Sequence, residues 1–228
     1  MSPDVIRWMI QAVIILVLSI CVHEFGHAIV AYKLGDNTPK AQGRVTLNPL
    51  AHSDPIGTLA FPLFALLATS GTSMGFGWGR PVQIQPMNFT RKLRVRISHM
   101  LVALAGPMMN VILGTLIIVI HVVLMKQGVL GPPETNGGVP SNISAALYYA
   151  SFLNFILFFF NLIPAYPLDG GAVLDGFLPD HIHRAEWYEN LKQYGWVVLF
   201  VVILVPNAHK VFTVPAGWVH SKIFALFL

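Results

Sequence analysis

The chain has 228 residues, 55% of them hydrophobic and 11% charged, with a net charge of +4 and a mean hydropathy of +0.65. A soluble domain carries about a quarter charged residues, so this composition excludes one and indicates a polytopic membrane protein. The excess positive charge sits in particular loops, which excludes a nucleic-acid-binding surface and speaks to orientation in a bilayer; the lone cysteine, Cys21, excludes an intrachain disulfide.

The N-terminus imitates a signal peptide, with Arg7 followed by an apolar stretch, but Ser19-Ile20-Cys21 is a poor cleavage site and the segment reads as an uncleaved first helix from about Val5 to Leu34, closed by Gly35. Between Trp8 and Val22 only Gln11 and Ser19 are polar, and then comes His23-Glu24-Phe25-Gly26-His27. On a helix, His23 and His27 lie one turn apart on one face and can reach a single metal ion, while Glu24 is placed to act as a general base in the H-E-x-x-H manner. The alternative is a buried histidine pair sharing hydrogen bonds with Glu24. An ionisable cluster at membrane depth favours the functional reading. Cys21, two residues before His23, points away from that face and reads as a packing residue.

A polar stretch, Asp36 to Asp54, follows. Within it Val45, Thr46 and Leu47 have the character of a short strand able to pair with an extended peptide, with a plain loop as the alternative. His52 lies beside this strand and is a candidate substrate contact. Pro55 to Met74 is long enough to span but is broken by Pro55, Gly57, Pro62 and Gly71, as in a segment that dips in and returns. Arg80, Arg91, Lys92, Arg94 and Arg96 then mark a cytoplasmic loop.

Met100 to Met125 is an evident transmembrane helix with Gly106-Pro107 near its start. A Gly- and Pro-rich loop ends at Ser144, a plausible N-cap, and Ala145 to Ile163 is the next span. It runs into Asn161-Leu162-Ile163-Pro164-Ala165-Tyr166-Pro167-Leu168-Asp169-Gly170-Gly171, where two prolines break the helix and free backbone groups that need partners other than lipid. Helix resumes at about Ala172. A further span covers about Trp187 to Val205, and Val211 to Leu228 either lies in the interface or forms a short last span. The four other histidines considered as extra ligands, His99, His121, His181 and His183, have structural roles as the better reading.

Two histidines leave a catalytic zinc one protein ligand short. Asp169, acidic and at the break of an intramembrane helix, is the best candidate for the third, against a role as the cap of the resuming helix.

The motifs His23-Glu24-Phe25-Gly26-His27, Ala105-Gly106-Pro107-Met108-Met109-Asn110 and Asn161-Leu162-Ile163-Pro164 through Pro167-Leu168-Asp169-Gly170, in that order, resemble the signature set of the site-2 proteases, intramembrane zinc metalloproteases. Asn48 to Gly57 and Gly77 to Phe89 are similar to a compact bacterial and archaeal branch without PDZ or CBS domains. The resemblance implies one Zn2+ per chain held by His23, His27 and Asp169, Glu24 as general base, Asn161 in substrate or oxyanion contact, and Gly106, Pro107 and Asn110 packing beside the site. Ala172 departs from the larger polar residue common there. The implied activity is zinc metalloendopeptidase hydrolysis within or next to transmembrane segments of membrane proteins. The rivals are a metal transporter, which needs repeated halves not found here, and an inactive chaperone, which would lack Glu24.

The expected architecture is therefore all-α: one domain, residues 1–228, a bundle of about four to six transmembrane helices with a broken helix and a re-entrant segment at the zinc site. His23, His27 and Asp169 meet only if their two helices run parallel, so Pro55 to Met74 is expected to be re-entrant. The N-terminus then lies outside a prokaryotic cell membrane, and the active site lies nearer the cytoplasmic side.

Overall fold

The computed structural model describes residues 2–75, 77–136, 139–183 and 185–228. The first helix, α1 (Pro3–Lys33), starts where the Ser2 hydroxyl accepts from the Val5 N–H and Pro3 occupies the first turn. Its 31 residues extend about 47 Å, ample for a hydrocarbon core of about 30 Å. The buried positions Met9, Ala12, Leu16, Ser19, His23, His27 and Ala31 follow helical spacing, one stripe facing the rest of the molecule.

Two short helices, α2 (Thr38–Ala41) and α3 (Pro49–His52), fill the polar stretch. Val45 to Leu47 forms no strand. The chain bends there, and its carbonyls are taken by side chains rather than by a ladder: Thr46 O by His52 Nε2 at 2.9 Å and Leu47 O by the Cys21 thiol at 3.4 Å.

A six-residue π-helical stretch, Pro55–Ala60, runs into α4 (Phe61–Ala68). Together they rise about 21 Å, too short to cross. They descend antiparallel to α1 until Trp8 Nε1 donates to the Gly71 carbonyl at 3.0 Å, near the start of α1. Residues 77–82 come back up: Trp78 N–H donates to the Gly57 carbonyl at 3.2 Å and Arg80 N–H to the His52 carbonyl at 2.8 Å. Both ends of the hairpin thus lie at the level of Glu24, whose Oε2 accepts from the Val82 N–H at 3.1 Å. The segment is re-entrant, as its prolines and glycines suggested.

Helix α5 (Val95–Lys126) runs antiparallel to α1 and carries Pro107 inside it. A two-residue antiparallel ladder, β1 (Thr135–Asn136) with β2 (Val139–Pro140), follows. It leads to α6 (Ile143–Asn161), capped by the Asn142 side chain accepting from Ala145 N–H at 2.8 Å. Ser144 is not the cap, because its hydroxyl pairs with His121 Nε2 at 2.7 Å. The break occupies residues 162–168, and helix restarts three residues earlier than the sequence suggested, as α7 (Asp169–Phe177). The chain closes with α8 (Asp180–His183), α9 (Glu186–Leu204) and α10 (Lys210–Phe227), the last being helical despite Pro215.

Helices α1, α5 and α6 are long and apolar enough to cross a membrane, and α9 and α10, at 19 and 18 residues, are of near-spanning length. The protein is an all-α polytopic membrane protein. One apolar cluster (Trp8, Leu16, Ile20, Leu66, Met74, Leu153) fastens the hairpin between α1 and α6, and a second (Ile118, Val122, Phe155, Ala216) seats α10 on α5 and α6.

Candidate metal centre

The site forms where α1 crosses α5. A Cβ on Gly26 would stand 2.7 Å from the Ala105 carbonyl, and one on Gly106 would collide with the His27 ring, so two glycines set the approach of the helices and leave room for both imidazoles. Asp169 arrives from the break. Pro164 and Pro167 end α6 and turn the chain, and Gly170, with no space for a Cβ beside the Leu162 and Ile163 carbonyls, lets the first turn of α7 press onto the loop.

Three ligand atoms converge there. His23 Nε2 and His27 Nε2 are 3.1 Å apart, and Asp169 Oδ2 is 3.2 Å from the first and 3.4 Å from the second. His27 Nδ1 lies 2.8 Å from the Val102 carbonyl, which can only accept, so that nitrogen carries the hydrogen. His23 Nδ1 lies 2.7 Å from Asn110 Oδ1 and carries its hydrogen likewise. In the neutral rings both Nε2 atoms then present lone pairs. Asp169 Oδ2, buried and without a hydrogen-bond partner among the described residues, adds a third acceptor. Three such atoms at this spacing can hold a metal ion between them. Ligands about 2.0–2.1 Å from a tetrahedral zinc stand about 3.3 Å apart, so the donor set fits zinc in kind and in spacing.

Glu24, on the same helix, is held by the Val82 N–H. Nearby, the buried Arg44 guanidinium donates to the Ala51 and Arg80 carbonyls and ties α3 to the returning limb of the hairpin. Burial and the neighbouring Arg80 push its pKa below the usual guanidinium range, and Glu24 opposes them.

The structure thus brings together His23, His27 and Asp169, with Glu24 beside them on α1. Asp169 is the first residue of α7, whose N-cap is Leu168, with no side-chain cap hydrogen bond. His52 is fully buried under the loop of residues 44–48 and stands outside the cluster. Asn161 ends α6 with its amide donating to the Leu157 carbonyl at 2.9 Å. His121 lies against Ser144, and His183 is 3.4 Å from Asp175. Sequence reasoning missed Ser19 and Asn154. Ser19 had a detectable signal, four residues before His23 on the same face, and so did Asn154, an amide in the middle of an apolar span.

A membrane-embedded helical bundle with an H-E-x-x-H helix and a third acidic ligand candidate defines a zinc metallopeptidase. Residues 11–206 match Peptidase family M50, and the chain belongs to that family. Among its relatives is a protein of Bacillus subtilis named "Putative zinc metalloprotease YwhC", 36% identical over 194 residues that cover 85% of this chain and 80% of that one. "Putative zinc metalloprotease Rip2" of Mycobacterium tuberculosis is 30% identical over 210 residues, covering 92% and 70%. Its namesake in Mycolicibacterium smegmatis is 28% identical over 201 residues, covering 88% and 69%. No solved structure matches the chain significantly.

Proposed function

We propose that this zinc metallopeptidase cleaves peptide bonds within or next to the transmembrane segments of other membrane proteins, as one domain spanning residues 1–228, with His23, His27 and Asp169 holding one Zn2+ and Glu24 moving the proton. The observation that carries the reading is the triangle of three ligand atoms, 3.1 to 3.4 Å on a side, two of them on a helix made for the bilayer and the third on the short helix after α6, beside a fixed carboxylate.

Held by His23, His27 and Asp169, zinc would supply the Lewis acidity that polarises a carbonyl and acidifies water. The Val82 N–H fixes Glu24 through Oε2, leaving Oε1 to take the proton of the attacking water and return it to the leaving amine. Asn161, at the end of α6, is a candidate contact for the substrate carbonyl, and His52 serves by shaping the neighbouring loop through Thr46. A helical substrate must unwind before its carbonyls can be reached, since they are bonded internally.

Charge supports an active site nearer the cytoplasm. Lys40, Arg44, Arg80, Arg91, Lys92, Arg94 and Arg96 flank the hairpin and precede α5, at the end of the bundle that holds the site. His27 stands about 9 Å from the last residue of α1.

The test is cleavage of a single-span substrate by the protein reconstituted in vesicles, comparing wild type with Glu24→Gln. The variant should keep its zinc and lose about 10²- to 10⁴-fold in rate. Equal cleavage by the variant, or cleavage of soluble peptides alone, defeats the reading.

A further inference from the structure

The orientation of the His23 ring is decided two helices away. Two backbone carbonyls, which can only accept, start the chain of reasoning. The Ala150 carbonyl takes a hydrogen from Asn154 Nδ2 at 2.9 Å, and the Ser19 carbonyl takes one from Asn110 Nδ2 at 3.2 Å. Neither amide can be turned around without setting oxygen against oxygen. Asn154 Oδ1 is therefore free to accept from Asn110 Nδ2 at 2.9 Å, while the second Asn154 N–H goes to Ser19 Oγ at 3.0 Å. Asn110 Oδ1 then faces His23 Nδ1 at 2.7 Å and obliges that nitrogen to carry the hydrogen. Asn110 and Asn154 are 0% exposed and Ser19 is 1% exposed, so water does not compete for any of these bonds.

We propose that Asn110 and Asn154 are positioning residues. They form a relay from α6 through α5 to α1 that fixes the tautomer and plane of His23 and so sets how tightly zinc is held. The proposal rests on the reading of His23 as a ligand. A pair of amides buried only for packing would satisfy each other and leave the imidazole alone. Here one hydrogen-bond direction runs unbroken from a backbone carbonyl of α6 to the far nitrogen of the imidazole. His27 needs no such relay, because the Val102 carbonyl fixes it directly. Partners of this kind are worth about 10- to 100-fold in metal affinity.

The experiment measures zinc affinity of the full chain in detergent by competition with a chelating dye, with the cobalt(II) absorption spectrum as the report on coordination geometry. Asn110→Leu should weaken zinc about 10- to 100-fold and shift the cobalt bands. Asn110→Asp keeps an oxygen acceptor at His23 Nδ1 but sets its other oxygen against the Ser19 carbonyl and Asn154 Oδ1, so it should recover part of the affinity and stay below wild type, a partial rescue that packing alone does not give. Asn154→Leu removes one of the two anchors of Asn110 and should cause a smaller loss, and it carries the test alone if Asn110→Leu does not fold. The relay is overturned if Asn110→Asp loses as much zinc as Asn110→Leu, or if Asn154→Leu binds zinc like the wild type. His23→Ala separates the two readings: retained zinc there defeats the ligand assignment, whereas lost zinc there with an unaffected Asn154→Leu defeats only the relay.

Discussion

The bundle buries histidines at both ends, and among the described residues only one end gathers a set of ligand atoms that could hold a metal. At the site, His23 and His27 donate through Nδ1 to Asn110 and Val102 and aim their Nε2 atoms at Asp169. At the other end, His121 Nε2 meets Ser144 Oγ at 2.7 Å and His220 Nε2 meets Ser151 Oγ at 2.8 Å. The Ser151 hydroxyl donates to the Tyr148 carbonyl, so it accepts from His220, whose hydrogen sits on Nε2. Tyr148, Phe152, Phe155 and Phe224 enclose the His220 ring. Each of these histidines is matched to one hydroxyl and stitches helices together: His121 joins α5 to α6, and His220 joins α10 to α6. An intramembrane histidine is thus not enough to mark a metal site. What marks it is lone pairs left facing one another.

The largest effects should separate the two ends. His23→Ala, His27→Ala or Asp169→Ala should abolish stoichiometric zinc and bring proteolysis to background. His220→Ala should leave metal content and turnover as in wild type while lowering stability by about 1–3 kcal/mol, the cost of an orphaned serine and a small void. Metal analysis with a denaturation midpoint for each variant is the check. Zinc lost from His220→Ala, or kept by Asp169→Ala, breaks the distinction.

A smaller effect is expected where the hairpin meets the site. Arg44→Ala removes the charged donor shared by the Ala51 and Arg80 carbonyls. Charge-assisted bonds of this kind contribute about 1.5–3 kcal/mol each, so the limb of residues 77–82 should open more often. Since Val82 holds Glu24 but no ligand candidate lies on the hairpin, turnover should fall while zinc content stays constant. Hydrogen exchange at Arg80 and Val82 reads the opening. Unchanged exchange with reduced turnover would mean that Arg44 acts on substrate directly.

Much of this arrangement was legible because it depends on local spacing. The four-residue interval of His23 and His27 needs only a helix, and the break that delivers Asp169 is written in Pro164 and Pro167. The return of the hairpin followed from demanding that those ligands meet. What stayed hidden depends on partners far along the chain. Val45 to Leu47 had strand-like residues but no neighbour to pair with, since His52 and Cys21 take its carbonyls. Ser144 looked like a cap until His121, 23 residues away, claimed its hydroxyl. Asn110 and Asn154 are 44 positions apart, and no periodicity joins them.

The smallest effect concerns how the site end of α1 is anchored, a task done there by a buried carboxylate, whereas the far end of the bundle is stitched by imidazole–hydroxyl pairs among α5, α6 and α10. Asp36 is fully buried just past α1 and accepts from Thr38 N–H at 3.0 Å, Thr38 Oγ1 at 2.6 Å, Gln85 N–H at 2.7 Å and Asn88 Nδ2 at 3.1 Å. Burial by itself would raise its pKa, but these four donors outweigh it and hold the carboxyl below its usual range. A folded pKa below the unfolded value of about 3.9 means that the contribution to stability is complete above that pH. It is lost as pH falls from there through the folded value. The staple should therefore be indifferent to pH between neutral and mildly acidic solution and weaken only in strong acid. Asp36→Asn replaces one acceptor oxygen with a donor facing other donors and should cost about 1–2 kcal/mol at neutral pH. The gap between wild type and variant should then narrow as the solution is acidified below pH 4, because only the wild type has a charge to lose. Hydrogen exchange of the Gln85 amide, followed in both proteins across that range, measures the gap. A difference that stays constant with pH would show that the carboxylate charge contributes nothing and that Asp36 holds the end of α1 by shape alone.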